Sequence, residues 1–290
     1  MTTLASVYKW KWRPRFRQRL YQAQVSLFKG LAGLLPGMSR VALRSAIDVK
    51  GKMDYLKGDI FLNVGSWIEY DKRLKSCSKE PETVSWIEAF IKEGDVVYDI
   101  GANVGAYSLL IAKHLNGRGK VYAFEPSFST FAQLCSNVAL NQCSHTVSPM
   151  YVALAEHTGM AYFNYTSMDA GTALHALGDA AGLARVVHRQ PILSYALDEL
   201  IEHFSIDRPN HIKLDVDGIE FDILRGAKQA LSDSRLKTVI VETEETREGA
   251  DKIRSLLQDA GLVLHSEHIH NQNPFHPGPY VRNCIYIRRP

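Results

Sequence analysis

Four carboxylates end or nearly end apolar, β-forming runs: Asp99 in Val96-Val-Tyr-Asp-Ile100, Glu125 after Val121-Tyr-Ala-Phe124, Asp215 after Ile212-Lys-Leu214, and Glu242 after Thr238-Val-Ile-Val241. A carboxylate withdrawn from water must find a partner. A set of them on one rim therefore points to a ligand carrying hydroxyls or positive charge. After Asp99 come Gly101, Asn103 and Gly105. Strand, glycine turn, helix is a geometry that aims backbone N–H groups at a ligand by the helix start. The dinucleotide spacing G-x-G-x-x-G fails here, because its three positions read Gly101, Asn103 and Ala106. The frame D-x-G-x-N-x-G holds instead, and Asn tolerates the left-handed backbone that a middle glycine would take. Glu125 follows Gly101 by 24 residues, the length of one βαβ unit, which places it to accept the two hydroxyls of a ribose. Asp215, Asp217 and Glu220 form the second group. A positioned carboxylate can take a proton from a reacting hydroxyl. Glu220 also opens a helix, where the dipole favours an acid with no chemistry attached. Asp-x-Asp spacing is a weak sign of a divalent-cation site, and no metal is assigned.

Alternating elements must hold these residues. Strands are expected at 96–100, 121–126, 147–154, 212–215 and 238–242. An extra strand is expected at 160–165, and a closing pair at 262–266 and 281–287. Helices are expected at 82–92, 130–141, 197–204, 220–231 and 249–260. Another runs through Leu109, Leu110, Ala112 and Leu115 to a cap at Gly117. Such alternation predicts an α/β fold, a doubly wound, mostly parallel sheet with its ligand beyond the C-terminal strand ends. Residues 166–190, rich in Gly and Ala, read as a mobile lid flanked by His175 and His188. His265, His268, His270 and His276 crowd the last hairpin. Without a Cys or acid at finger-like spacing they read as surface histidines and not a zinc site.

Several blocks resemble the FkbM family of class I methyltransferases that use S-adenosylmethionine. They are Glu80-Pro-Glu-Thr83, Asp99 to Gly105, Phe124-Glu-Pro126, Asn137 with Leu140-Asn141, Val152-Ala-Leu154, Leu197-Asp198, Lys213-Leu-Asp-Val-Asp-Gly-Ile-Glu220 and Leu224-Arg-Gly-Ala227. The likeness covers roughly residues 80 to 245, and Asp217 departs from it, since Glu is more usual there. It implies a Rossmann-like seven-stranded sheet with an antiparallel last strand, and the residue pattern before it reads as a helical and hairpin extension. It implies S-adenosylmethionine held by Asp99, Gly101, Ala102, Asn103, Gly105, Glu125, Pro126, Ser127, Ala153 and Leu154. Asp215, Asp217 and Glu220 become the catalytic set, and O-methylation of a sugar or other small-metabolite hydroxyl becomes the expected activity. A nitrogen or protein acceptor, and a non-catalytic module that kept the fold, are the alternatives.

The composition, 46% hydrophobic and 22% charged, is that of an ordinary globular protein. No apolar run reaches the roughly 18 residues of a membrane span, and four unpaired-looking cysteines suit a reduced cytoplasm. Charge is uneven. Residues 1–47 carry nine cations and no acid, while the other 243 residues carry 25 bases against 31 acids. Trp10, Trp12 and Phe16 lie among the first six cations, and an apolar stripe follows from Leu20 to Leu35. This pattern suits peripheral contact of residues 1–35 with an anionic membrane, on its inner face. A helix packed on the core and a cleaved targeting peptide are the other readings. The acidic core argues against nucleic acid, which leaves a small-molecule or glycan acceptor as the partner. The expected division is a basic segment 1–47, a strand-rich extension 48–79 and a catalytic domain 80–290.

Overall fold

The computed structural model describes residues 4–173, 175–178, 185–244, 247–270 and 281–289. The chain divides into two compact units, Met1–Lys50 and Gly51–Pro290. The first unit holds helix α1 (Leu4–Gly33) and helix α2 (Gly37–Ala46), separated where Pro36 adopts an extended backbone. No residue from Phe16 to Lys50 is buried.

The second unit starts from short elements. Strand β1 (Lys50–Lys52) pairs with β2 (Phe61–Asn63). Helix α3 (Trp67–Asp71), a 3₁₀ turn at Arg73–Lys75, and helices α4 (Ser76–Lys79) and α5 (Pro81–Phe90) follow. Segment 48–79, expected to be strand-rich, thus holds more helix than strand. Ser66 explains part of the difference, because its side chain caps α3 by accepting the Glu69 N–H. From Gly51 onward the segment belongs to the same compact unit as the domain after it. Asn137 and Asn141, one turn apart on α7 (Phe128–Leu140) and its C-cap, bond β2 as a neighbouring strand would. Their Oδ1 atoms accept the Asn63 and Phe61 N–H groups at 2.8 and 2.9 Å.

The principal sheet is built from β3 (Val96–Ile100), β4 (Lys120–Phe124), β5 (Val147–Met150), β10 (His211–Leu214), β11 (Thr238–Glu244), β12 (Leu262–His270) and β13 (Val281–Arg288). Its order is β12-β13-β11-β10-β3-β4-β5, with β13 alone antiparallel to its neighbours. Side chains alternate across it. Val97, Val121, Ala123 and Ile240 join one core with α5, α7 and helix α6 (Ala106–His114). Tyr98, Phe124, Leu214 and Val239 join the other. That second core is covered by α8 (Leu197–Phe204), α9 (Glu220–Arg225), α10 (Lys228–Ser232) and α11 (Arg247–Asp259). A central parallel sheet must bury both faces.

Three expectations change. The strand expected at 147–154 divides. Pro149 is tolerable in β5 because β5 is an edge strand, and the chain then leaves the sheet. Ala153–Leu154 forms β6 and pairs with Ser194–Tyr195. Residues 166–190 are not one long loop. β8 (Ala176–Leu177) and β9 (His188–Tyr195) join β6 and β7 (Gly159–Tyr165) in a four-stranded sheet ordered β6-β9-β7-β8. Residues 174 and 179–184 lie outside the described residues. The helix expected at 220–231 breaks near Gly226, where an added Cβ would come within 2.4 Å of the Ala155 carbonyl oxygen. Asp198 then caps α10 from a distance, accepting the Gln229 and Ala230 N–H groups at 2.8 and 2.9 Å.

Candidate active site

A cleft of about 960 Å³, part of it open to solvent, lies where the C-terminal ends of β3, β4, β10 and β11 meet the second sheet. Gly101, Asn103, Glu125, Pro126, Ala153, Leu154, Asp215, Asp217 and Glu242 line it, together with Arg73, Lys79 and His175.

The glycine loop forms as the spacing predicts, but its amides are occupied. Gly101, Asn103 and Gly105 take φ of +79°, +50° and +87°. The Gly101 and Ala102 N–H groups donate to the Phe124 carbonyl at 3.0 Å, as continuations of the strand ladder. The Asn103 N–H donates to Glu125 Oε2 at 2.9 Å, that of Val104 to Asn103 Oδ1, and that of Gly105 to the Ala102 carbonyl. A loop whose own amides are satisfied is no cradle for a pyrophosphate. Gly101 is glycine for another reason. A Cβ there would lie 1.9 Å from the Asp215 carbonyl oxygen, so β10 closes against the loop.

Glu125 is buried, and its two oxygens accept the Asn103 and Ser127 N–H groups at 2.9 and 2.8 Å. Burial pushes its carboxyl up to about 7 despite those bonds and the Arg73 charge. Spare lone pairs in a half-neutralised acid suit a ligand that brings hydroxyl donors. Ser127 serves through its amide and does not line the cleft. Ala102 does not line it either.

Asp99 is placed differently from the expectation. Its side chain is fully buried, accepts the Ser108 hydroxyl, and faces Lys213 at 3.5 Å. It does not line the cleft and bonds no loop amide. Lys213 carries its influence to the surface by donating to Asp215 Oδ2 at 2.9 Å. Burial disfavours the Lys213 ammonium, yet Asp215 and Asp99 raise its affinity for the proton overall. Burial alone would raise Asp215, but the Lys213 ammonium beside it holds that carboxyl below its ordinary value. Asp217 is exposed and accepts the His175 N–H at 3.2 Å. Glu220 does not join the cleft. Its Oε1 accepts the Gly218 N–H at 3.2 Å, and burial followed by repulsion from Asp215 and Asp217 lifts it to about 8. Its place in the first turn of α9 is the helix-start role.

Residues outside the sequence pattern complete the walls. Arg73 spans to the far side, donating from Nε and Nη2 to the Gly171 carbonyl at 2.9 and 2.7 Å. Asn103 Nδ2 reaches the Thr172 carbonyl at 3.1 Å. These bonds pin the segment read as a lid. Burial pulls the His175 imidazole down to about 4, and its Nδ1 accepts the Thr166 N–H. The proton therefore sits on Nε2, which is buried without a partner among the described residues. His188 is exposed on β9 and does not line the cleft. On the hairpin, His265 packs edge-on against Phe90 and His268 is exposed beside Ser266. The His270 side chain and all of His276 lie outside the described residues. Glu80, which the strand-end pattern cannot find, comes from the turn before α5. Oxygens of Glu80, Asp215 and Glu242 lie within 4.8 Å of one another.

The charge of the cleft, its occupied loop amides and its hydroxyl-ready Glu125 fit S-adenosylmethionine, which offers a sulfonium, an ammonium and a ribose. A family model described as the methyltransferase FkbM domain matches residues 99–264. Hexuronic acid methyltransferase AglP of Haloferax volcanii is 27% identical over 190 residues, covering 66% of this chain and 72% of that protein. The 31-O-demethyl-FK506 methyltransferase FkbM of Streptomyces tacrolimicus is 25% identical over 221 residues, covering 68% and 82%. The solved structure of methyltransferase FkbM from Methylobacillus flagellatus KT is 15% identical with a TM-score of 0.48, over 68% of this chain and 44% of that one. This chain thus belongs to the FkbM-domain methyltransferase family, and its cofactor is S-adenosylmethionine.

Proposed function

We propose that the chain methylates a hydroxyl of a sugar or similar small metabolite, and that its basic N-terminal unit holds it at an anionic membrane surface. The observation that carries the first part is the cleft itself, with a ribose-ready acid at one end and Asp215, Asp217 and Glu242 open to a second ligand at the other. The hexuronic acid named for the Haloferax relative supports a sugar acceptor. In this reading Glu125 takes the ribose hydroxyls. Gly101 and Asn103 let the chain approach the methionine part, and Pro126, Ala153 and Leu154 close on the adenine side. Asp99 acts at one remove, through Lys213, by keeping Asp215 ionised. When bound, the cofactor supplies an electrophilic methyl group. The protein's own contribution is to hold the acceptor in line, an effect worth up to about 7–11 kcal/mol, and to receive a proton. Tritiated S-adenosylmethionine, offered with neutral and uronic-acid oligosaccharides, tests this reading. Label on a sugar hydroxyl oxygen is the expected outcome, whereas label only on protein or on nitrogen overturns it.

Support for the membrane part comes from exposure. Phe28, Leu34 and Met38 are 63%, 82% and 85% exposed in a unit whose charged residues, up to Asp48, are all cations. Near an anionic bilayer each cation contributes about 1 kcal/mol, fading with salt. Among the described residues no helix is long and apolar enough to cross a membrane, so the helices would lie flat. Full-length protein should sediment with phosphatidylserine vesicles at low salt and release as salt rises. Protein lacking residues 1–19 should not sediment yet keep its thermal transition. Equal sedimentation of both overturns the membrane part.

A further inference from the structure

The carboxylates on the acceptor side are not chemically equivalent. Asp215 is tied to Lys213 at 2.9 Å and kept ionised, so a proton received there would not stay. Asp217 already accepts a backbone N–H, and Glu220 turns away from the cleft. Glu242 differs from all three. It lines the cleft and is half-buried, and among the described residues no hydrogen-bond donor reaches its carboxylate. The parallel register pairs Leu214 with Val241, which puts Asp215 and Glu242 side by side at the strand ends.

We propose that Glu242 is the catalytic base that removes the acceptor hydroxyl's proton, with Asp215 fixed beside it, so that the methylated atom is a hydroxyl oxygen and not an ionised carboxylate. The inference rests on the methyl-transfer reading above. The groups facing Glu242 are Asp215 and Lys213 on β10, and Lys79 and Glu80 at the turn between α4 and α5. Asn283, its register partner on β13, is turned to Glu82 at 2.8 Å. Lys79 is itself taken up by Glu80 at 2.6 Å. Burial first, then repulsion from Asp215 and Glu80, outweighs the two lysines and pushes the Glu242 carboxyl up to about 8. A base near the working pH both accepts and releases a proton readily. An acceptor that is already a carboxylate would need no base and would meet three acids.

The acceptor O–H proton passes to a Glu242 oxygen. The oxygen's freed electron pair forms the new O–CH₃ bond as the carbon–sulfur pair returns to sulfur, leaving a neutral thioether. Glu242 then loses its proton to water through its exposed side. A second consequence follows from charge. A bound cation in the cleft favours the ionised carboxylate, so cofactor binding readies the base.

Calorimetry in buffers of different ionisation enthalpy measures this without an acceptor. At pH 7.5 S-adenosylmethionine should release more protons on binding than neutral S-adenosylhomocysteine does, by up to about 0.8 proton. The difference should shrink in Glu242→Gln while both ligands still bind. With methyl glucoside and methyl glucuronide as acceptors, Glu242→Gln should lower turnover about 10²-fold and flatten its rise with pH, and Glu242→Asp should restore part of both. An unchanged proton release in Glu242→Gln, or turnover within twofold of the parent, overturns the proposal. So does activity that needs added Mg²⁺ and disappears in EDTA, since the acids would then be ion ligands. If cofactor binds but neither glycoside is methylated, the sugar-acceptor reading fails, and the proton count still decides Glu242.

Discussion

The two ends of the principal sheet treat buried polar groups in opposite ways. At the N-terminal ends of β3, β10 and β11, Trp86 Nε1 donates to Thr238 Oγ1 at 2.9 Å, and that hydroxyl meets His211 Nδ1 at 2.8 Å. The Asp95 carboxylate only accepts, so the proton of the neutral His211 ring sits on Nε2 and Nδ1 accepts from the Thr238 hydroxyl. His211 Nε2 then donates to Asp95 Oδ2 at 3.0 Å, and Lys237 reaches Asp95 Oδ1 at 2.6 Å. Every member is paired. At the C-terminal ends, among the described residues, Glu242 takes no hydrogen bond, Glu125 keeps spare lone pairs and Nε2 of His175 is unpaired. A saturated network stabilises a fold. Unsaturated groups are a standing cost that a ligand can relieve, so the same sheet is built for stability at one end and for binding at the other.

The comparison breaks most visibly at Gly101. Gly101→Ala must force its Cβ off the Asp215 carbonyl at a left-handed backbone position, and should prevent folding or cofactor binding. Soluble protein with normal S-adenosylhomocysteine affinity would show that the loop can yield. Next in size is the saturated end. Asp95→Ala leaves the buried His211 N–H and the Lys92 N–H without their acceptor and should cost about 1–3 kcal/mol for each in urea unfolding, with ligand affinity unchanged in whatever fraction folds. Glu125→Ala should act on binding as well. It should weaken S-adenosylhomocysteine by about 1.5–3 kcal/mol by calorimetry, and the Asn103 and Ser127 N–H groups left without their acceptor should lower the melting temperature less than Asp95→Ala does.

The smallest effect is the pH dependence of apo-protein stability, which sharpens the contrast. Glu125, Glu220 and Glu242 have folded values of about 7, 8 and 8, raised from 4.5, chiefly by burial. Their stabilising contribution is complete below about 4.5 and is lost as pH rises through 7 to 8. His211 is lowered from 6.5 because burial outweighs Asp95, so its contribution is full above 6.5 and is lost as pH falls. Burial would raise Asp95, but His211 and Lys237 hold it well below 3.8, and its share is lost at more acid pH. Melting temperatures should therefore decline on both sides of mildly acidic pH. Glu125→Gln and Glu242→Gln should each flatten the alkaline decline by a few degrees, and His211→Gln the acid one. An alkaline decline that survives both glutamine variants would assign it elsewhere.

Much of this was legible in the sequence because it depends on local order. Two-residue alternation in Val96–Ile100, the left-handed Gly101, Asn103 and Gly105, and the 24-residue interval to Glu125 all come from short-range backbone rules. The sequence by itself thus determined the parallel sheet, the loop and the rim of acids. Tertiary structure decided which acids work. Asp99 and Asp215 lie at adjoining strand ends, yet one faces a buried serine and lysine while the other faces a cleft. Lys213 sets both, and no spacing rule says where its ammonium will point. The second sheet escaped detection because β8 and β9 become strands only by pairing with β7, at a distance along a Gly- and Ala-rich chain. Glu80, Lys79 and Arg73 reach the site from elements before the domain's first strand. A carboxylate's proton affinity depends on burial and on the charges around it, and those neighbours are brought together only when the chain folds.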